Sequence, residues 1–414
     1  SDRIAAAVVA GVLAGAAVEA DDRLTLVEAV TRALSYYPSV QASVAQVEVA
    51  NAAVDEAEAA RFPTVSVGAS ATRYQEPTLV HPIHAFTPDL IPPFDQNLFQ
   101  AFADIRYSLF DGGGRSARIE ESRARSQSAQ SSLLEARQRL LSQLIQQYLS
   151  VLSRARTLEA QQRSLQALEA ELSRVKQIFD VGRAAMVDVL RVEASIAAAR
   201  AERVRLASSL DLAQRNLARL VGVETAETRA SNLVPVSLSG ISLPSREEIL
   251  QNALESSPSA RLARDELAVA EAALDASRSR RLPSVNLDGR YINYGSASGA
   301  NSLEWNVGVS LAYTVFNGGA VSSAVARTQS AARSAAEKLR WMELEVASEI
   351  DRGFSTMEEA EARIESLRTA VARFDEVSRI EKLRLETGVG TEIDYIRAEA
   401  DRLAAEAGLI EARY

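Results

Sequence analysis

The sequence predicts a mainly α-helical protein that also contains β-strands, with long antiparallel coiled-coil hairpins and four strands in each chain. Three observations predict this fold class. The stretch from Arg115 to Asp180 contains neither Pro nor Gly and is rich in strong helix formers. Four shorter stretches alternate apolar and polar residues, as half-buried strands do. The same order of elements occurs twice along the 414 residues.

The long stretch has the period of a coiled coil. Apolar residues recur at every seventh position: Leu144, Val151, Leu158, Leu165, Leu172 and Phe179. A seven-residue period keeps one apolar seam against a partner helix. At about 1.5 Å per residue, such a helix measures roughly 100 Å, whereas the mean helix of a globular protein has about 11–12 residues. We therefore expect a protein that spans a distance.

Composition restricts the possible functions. A formal net charge of −9 without a basic stripe argues against a nucleic-acid partner. The sequence has no Cys, which excludes disulfides, thiolate metal sites and Cys nucleophiles. Its two His residues, His81 and His84, form either a metal-binding pair or part of a plain surface loop. The run Gly112 to Gly114 lacks the Lys-Ser/Thr of a phosphate-binding loop. The sequence predicts no enzyme and no cofactor.

Residues 1–20 resemble the remnant of a secretory signal peptide. Arg3 precedes an apolar run from Ile4 to Val18, which ends in small residues typical of a cleavage site. The alternative is an Ala-rich tail outside the fold. The run is shorter than the roughly 20 residues that a membrane-spanning helix needs, and no other apolar run approaches that length.

We assign residues 21–222 to a first repeat. Its elements are a helix from Leu24, strands at 64–74 and 99–110, and long helices at 115–181 and 185–221. Thr25 followed by Glu28 is typical of a helix N-terminus. A Pro-rich loop separates the two strands. Because the turn between the long helices is short, we expect these helices to lie antiparallel.

Residues 251–414 repeat this order after a linker at residues 223–250. The second copy has a helix, strands at 284–294 and 303–316, and long helices at 320–387 and 391–414. Its last helix is shorter than the counterpart in the first copy, so we expect that Tyr414 truncates it. The joints between helices and strands recur as Phe/Leu-Pro-Thr/Ser and Phe-Asp/Asn-Gly-Gly and comprise Pro63, Gly112, Gly113, Pro283, Gly318 and Gly319. The Gly pairs suit chain reversals that need positive φ.

The strands match the requirements of a membrane-spanning sheet. Each keeps an apolar face over a length close to the roughly 9–11 residues of a tilted transmembrane strand. In lipid, every backbone polar group must be satisfied, so the strands must close into a barrel. Four strands are too few, since the smallest barrels have about eight, and we therefore expect an oligomer that pools strands. The alternative is a soluble sheet that caps a helical bundle.

The doubled joint motifs resemble those of the outer-membrane efflux protein (TolC) family, as does the turn motif Val-Gly…Asp-Val-Leu from Val181 to Leu190. The resemblance covers residues 24 to 414. It implies a homotrimer with a 12-stranded β-barrel in outer-membrane lipid above an α-helical periplasmic tunnel, with residues 223–250 as an equatorial linker. It also implies a periplasmic adaptor (membrane fusion) protein and an inner-membrane ABC or proton-driven transporter as partners.

The resemblance also implies where the tunnel closes. The aperture would lie at the helix turns, with Asp394 and its counterpart Asp188 as acidic rings in the trimer. The turn residues Val181, Gly182, Arg183, Thr387 and Gly388 would form the helix tips that contact the adaptor. Arg397 stands where a second aperture carboxylate is often found, and Gly390 where a basic residue can fasten the inner hairpin. The alternative for both aspartates is an early-turn acid favoured by the helix dipole.

The expected function is that of a passive exit duct in the outer membrane, gated by movement of the periplasmic helix tips. It would carry substrates from an inner-membrane transporter, in type I protein secretion, in efflux of small toxic compounds, or in both. The rival hypothesis is a soluble structural coiled-coil protein without a pore.

Overall fold

The computed structural model describes residues 23–84, 91–236 and 243–414; the expected signal-peptide remnant at 1–20 lies outside them. The first half contains α1 (Leu26–Tyr36), α2 (Pro38–Ala59), β1 (Thr64–Leu79), β2 (Phe94–Phe110), α3 (Gly114–Asp180) and α4 (Met186–Val221), followed by a short 3₁₀ helix (Ala230–Asn232). The second half contains α5 (Arg246–Ser256), α6 (Pro258–Ser279), β3 (Ser284–Ser296), β4 (Asn301–Ala312), α7 (Ala320–Glu386) and α8 (Glu392–Arg413). These described residues are predominantly helical and include a four-stranded sheet.

Two of the long helices reach the length that the sequence predicts. α3 and α7 each have 67 residues. The side chain of Thr25 caps α1 by accepting a hydrogen bond from the backbone N–H of Glu28 at 3.1 Å. Pro38 opens α2, where its missing N–H costs no helical hydrogen bond.

The strand boundaries differ from the expected ones. β1 continues to Leu79 and β2 begins at Phe94, so the loop between them is shorter than the sequence suggests. The pairing of β1 with β2 shifts register between Arg73 and Thr78, which accommodates Pro77 on an edge strand. The expected strand at 303–316 is wrong for its last four residues. The ladder between β3 and β4 ends where Ser284 pairs with Ala312, so residues beyond Ala312 have no strand partner.

The four strands form one antiparallel sheet in the order β1-β2-β3-β4. One face of this sheet is apolar and exposed, and cross-strand pairs keep it in register from edge to edge. Its large exposed side chains are Val65, Val67, Phe99, Ile105, Leu109, Tyr291, Leu303, Trp305, Val307, Val309 and Leu311. This face has the period-2 pattern on which the strand prediction rests.

The opposite face carries a crossed set of charges on the two central strands. Arg290 forms a forked pair with Asp104, with N–O distances of 2.5 and 3.0 Å. Arg106 Nε donates to Asp288 Oδ1 at 3.3 Å. The guanidinium of Arg290 also lies 4.8 Å above the ring of Phe102, a cation–π distance. The middle of this face is therefore polar, with each charge next to an opposite one.

The chain forms two compact units that each draw on both halves of the sequence. The first contains the described residues up to Val44 together with Leu133–Ala260 and Glu343–Tyr414. The second contains Ala45–Ser132 and Arg261–Met342, which include the sheet. In the second unit, Arg123 Nη2 lies 2.5 Å from Glu58 Oε1, and Ser126 donates to Asn51 at 2.6 Å; both contacts join α3 to α2.

One core of the first unit centres on Tyr148, which is fully buried. Its hydroxyl lies 2.9 Å from the carbonyl oxygen of Leu24 and 2.7 Å from that of Val234. Leu24 also exchanges backbone hydrogen bonds with the segment that contains Asn232 and Val234, at 2.7 and 3.2 Å. The long helix α3 thus holds the start of the described chain against the linker.

α3 and α4 pack antiparallel near the turn that joins them. Lys176 pairs with Glu193, and Glu169 pairs with Arg200, both at 2.7 Å, so the partners run in opposite directions. The heptad seam of α3 is buried or half-buried along most of its length, and Leu144 and Val151 are fully buried. Its last member, Phe179, is exposed because the helix ends one residue later.

The two strand-to-helix joints have the same backbone and different surroundings. Gly112 and Gly318 have φ of 66° and 65°, a region that L-residues with a Cβ rarely adopt. A Cβ on Gly112 would lie 2.6 Å from Leu282 Cβ and 2.8 Å from the carbonyl oxygen of Ser279. A Cβ on Gly318 would meet nothing within 4 Å.

We predict that Gly112→Ala destabilises the protein more than Gly318→Ala does. Both changes introduce backbone strain of about 1–3 kcal/mol, and only the first adds a clash with neighbouring backbone. Thermal unfolding of the purified protein, followed by circular dichroism, measures the difference. Equal shifts in the two variants would contradict the prediction.

Candidate functional site at the helix turns

The two turns that join the long helices end in the same way. Gly182 and Gly388 follow α3 and α7 with φ of 73° and 77°. Val181 and Val389 are exposed beside them, at 69% and 72% of their surface. The other predicted turn residues, Arg183 and Thr387, are exposed as well. Each turn therefore presents apolar and polar side chains to its surroundings.

Asp188 and Asp394 occupy equivalent positions in the first turn of α4 and α8. Asp188 Oδ2 accepts from the backbone N–H of Ala185 at 3.3 Å, and its Oδ1 lies 3.4 Å from Arg191. The hydroxyl of Thr391 donates to Asp394 Oδ2 at 2.6 Å. Both carboxylates thus act at the positive ends of helices, where the dipole favours them. The structure brings each to a helix start, and whether they also ring an aperture is part of the proposal below.

Arg397 lies one turn further along α8 and is exposed, with no ion pair among the residues that the structure describes. It is not brought together with Asp394 by any contact in that part of the chain. The six joint residues all belong to the second unit, whereas the turns belong to the first. The predicted site residues therefore form two separate groups, the turns and the joints.

Sequence reasoning missed a buried charged cluster behind the turns. Glu171 on α3 and Glu392 on α8 are 4% and 6% exposed. Arg174 joins them: its Nε donates to Glu171 Oε1 at 2.7 Å, and its Nη2 donates to Glu392 Oε2 at 3.1 Å. The other oxygen of Glu392, Oε1, is buried and has no hydrogen-bond partner in the described chain. One guanidinium therefore serves two buried carboxyl groups.

Burial, and after it the negative charge of Glu171, together raise the pKa of Glu392 to about 8. Burial also raises the pKa of the neighbouring Tyr395 to about 12. A carboxyl group with such a pKa is mostly protonated at neutral pH. Glu392 is thus a neutral acid in a position where most glutamates would be charged.

Further buried polar contacts join α7 to α8. Ser378 donates to Glu399 Oε2 at 3.0 Å, and Arg402 holds both oxygens of Glu399. Arg163 on α3 lies 2.5 Å from Glu406 on α8. α8 therefore makes polar contacts with both α7 and α3, and it connects the two hairpins.

The repeat contains a signal that could have identified Glu392. The matching position of the first copy is Met186, so a charged residue replaces an apolar one in the second copy. The difference between the copies singles out position 392, but Met186 is itself exposed, so this signal does not indicate burial. Nothing comparable marks Glu171, which lies among several other charged residues of α3.

The two His residues meet one carboxylate. His84 Nε2 lies 3.0 Å from Glu304 Oε2, and His81 Nδ1 lies 3.6 Å from Glu304 Oε1. No group of three or more His, Cys, Asp or Glu in the described ranges is arranged to hold a metal ion.

Within those ranges, no helix combines the length and the apolar character needed to cross a membrane.

The fold and the turns define a class of protein. The family model for "Outer membrane efflux protein" matches residues 29–223 and 249–414, and the chain belongs to this family. It is located in the outer membrane and extends into the periplasm.

Individual relatives agree with this assignment. The chain is 24% identical to Protein CyaE of Bordetella pertussis over 390 residues, which cover 93% of this chain and 80% of that protein. It is 23% identical to Outer membrane protein TolC of Vibrio cholerae over 304 residues, which cover 72% and 69%. The crystal structure of the outer membrane protein VceC from Vibrio cholerae has the same fold, with a TM-score of 0.78, 19% identity and coverage of 94% and 92%.

The raised pKa of Glu392 predicts a pH dependence of stability. Between pH 4.5, the ordinary value, and about 8, the folded chain holds a proton that the unfolded chain has released. The free energy of unfolding should therefore fall as pH rises across this window, by on the order of 1 kcal/mol per pH unit, and level off above it.

Thermal melts in detergent from pH 4.5 to 9 measure this slope. We expect that Glu392→Gln lacks it, because an amide does not titrate. Glu376→Gln is the matched control, since Glu376 is exposed and pairs with Arg379 on the same helix. A slope that persists unchanged in Glu392→Gln would refute the assignment.

Proposed function

We propose that three copies of this chain form a passive exit duct through the outer membrane. The observation that carries the proposal is the sheet, which has an exposed apolar face, a polar opposite face and two edge strands, β1 and β4. An apolar face of this size is unfavourable in water and favourable against lipid. In lipid the edges of the sheet must be paired, so strands from several copies must close one wall. Three copies would supply twelve strands, which is within the range of known barrels.

The helical hairpins would continue the duct into the periplasm. There the turns would meet a periplasmic adaptor protein and an inner-membrane ABC or proton-driven transporter, which would supply the energy. The exposed apolar residues at both turns, such as Val181 and Val389, support a contact of this kind. The cargo would be secreted protein, as in type I secretion, or small toxic compounds. Movement of the helix tips would gate its passage.

The aperture would lie at Asp394 and Asp188. Three copies of an exposed carboxylate around one axis attract cations and repel one another. The capping contact of Asp394 with Thr391 fixes where this charge lies. Arg397, one helical turn away, would reduce the negative potential of the ring.

Planar-bilayer recording tests the duct. We expect the purified protein to need detergent, to migrate as a trimer and to conduct ions when added to a bilayer. Well-folded protein that stays monomeric without detergent, or that never conducts, would favour a soluble coiled-coil protein instead.

Two neighbouring positions of β1 test the membrane face. Ala71 shares the apolar face with Val67, whereas Ser70 points to the polar face; both are exposed. We expect Ala71→Arg to impair insertion, since an Arg on the lipid face costs roughly 2–4 kcal/mol at mid-membrane. Ser70→Arg should insert normally. Heat-modifiable migration on gels after refolding into lipid vesicles reports insertion, and equal behaviour of both variants would contradict a lipid-facing sheet.

The aperture has its own test. Asp394→Ala should weaken the block of the conductance by a trivalent cation, because it removes three carboxylates from one ring. Asp394→Asn keeps an oxygen to accept the hydrogen bond of Thr391 and removes the charge, so it should weaken the block equally. If both variants are blocked as the parent protein is, the constriction lies elsewhere.

A further inference from the structure

The buried charged cluster of Glu171, Arg174 and Glu392 connects the two hairpins through a single cation, the guanidinium of Arg174. Glu171 and Arg174 belong to α3, and Glu392 begins α8. We call the hairpin of α3 and α4 the outer hairpin, and that of α7 and α8 the inner hairpin. Arg174 reaches both carboxyl groups, and Glu392 Oε1 is left without a partner within the described ranges. A second carboxylate in such a place is costly, since one guanidinium cannot neutralise two buried anions.

The remaining charges around the cluster do not supply the missing cation. α4 contributes Asp188, and α7 contributes Glu386 near Arg174. α8 contributes Tyr395 and also Glu399, but Arg402 already holds both oxygens of Glu399. The groups around Glu392 and Arg174 on the four helices are thus mainly acidic. A proton on Glu392 is the simplest way to balance them.

The first copy of the repeat has no such group. Met186 occupies the matching position at the start of α4, and its side chain is exposed. The outer hairpin can therefore end its turn without any titrating group at this position. The titrating group of this contact therefore lies on α8 and has no counterpart at the start of α4.

We propose that Glu392 is a proton-dependent latch between the inner and outer hairpins. While the carboxyl group holds its proton, it stays buried against Arg174 and keeps α8 close to α3. When the O–H bond breaks and the proton passes to water, two carboxylates face each other across one guanidinium. The start of α8 then moves away from α3. The latch rests on the proposed function for its role, which is to make opening of the duct depend on pH.

Spin labels measure the latch without any need for transport. The chain has no Cys, so Val181→Cys and Val389→Cys place a label on each turn with no competing thiol. Electron–electron double resonance on the assembled protein in detergent gives the distribution of distances between them. We expect a short distance at pH 6.5 and a longer component at pH 9.5. The ratio of the longer to the shorter component should rise about tenfold per pH unit near the midpoint.

Three variants decide whether Glu392 is responsible. Glu392→Gln should keep the short distance at every pH, since the amide stays neutral. Glu171→Gln should also suppress the change, because it leaves one carboxylate for one guanidinium; this variant carries the test if the first does not fold. The control Glu376→Gln, with its pair inside α7, should change distance as the parent does. An unchanged pH response in both Glu392→Gln and Glu171→Gln, or none in the parent, would overturn the latch.

Conductance recorded from pH 6.5 to 9.5 separates this inference from the proposed function. Conductance that rises with pH in the parent and stays low in Glu392→Gln supports both. A pH-dependent label distance in a protein that never conducts supports the latch and overturns the duct. Conductance with the same pH dependence in the parent and in Glu392→Gln supports the duct and overturns the latch.

Discussion

The sheet needs hydrogen-bond partners that its own described strands do not supply, and much of the remaining architecture depends on this need. β2 and β3 are paired on both sides, whereas β1 and β4 each pair on one side. Their outer N–H and C=O groups must find water or another strand. Water can reach these edge groups only if the apolar face of the sheet is also exposed to water, which is unfavourable. A second copy of the chain satisfies the edges and continues the apolar face at the same time. This constraint calls for a closed assembly of several copies, and the proposed trimer is one that meets it.

The long helices are joined by a small number of side-chain pairs. α3 pairs with α4 through Glu169–Arg200 and Lys176–Glu193, and α8 contacts both α3 and α7. The joins within the first hairpin are exposed ion pairs, which contribute little to stability. The joins between hairpins include buried groups, which are sensitive to the loss of one partner. The contacts between the two hairpins therefore depend more on single residues than the ion pairs between α3 and α4 do.

Much of the fold could be predicted from the sequence because two periods are unusually clean. The heptads of α3 and the alternation in β2 and β4 have few interruptions, and the repeat of the whole pattern supports each assignment. Boundaries were less accurate where pairing decided them. Pro77 suggested a loop but lies on an edge strand. Tyr313 to Val315 continue the alternation of β4 but lie beyond the end of its ladder with β3. A sequence pattern cannot show where the neighbouring strand begins.

The site was harder to predict, for a related reason. Asp188 and Asp394 were identified by their place in a turn motif, and their helix-capping contacts agree with the simpler structural interpretation. Glu171 and Glu392 are far apart in sequence and meet only because α3 and α8 pack together. Local patterns therefore indicate the turn residues, whereas the buried pair depends on tertiary packing.

The crossed charges on the polar face of the sheet have a consequence for how chains find their alignment. Asp104 meets Arg290 and Arg106 meets Asp288 only in the observed register. A slip of one residue between β2 and β3 would turn one member of each pair toward the apolar side. Misaligned strands would then carry bare charges into the hydrophobic layer and be rejected. These four charged residues therefore favour the observed register of β2 and β3 over a one-residue slip when the sheet assembles.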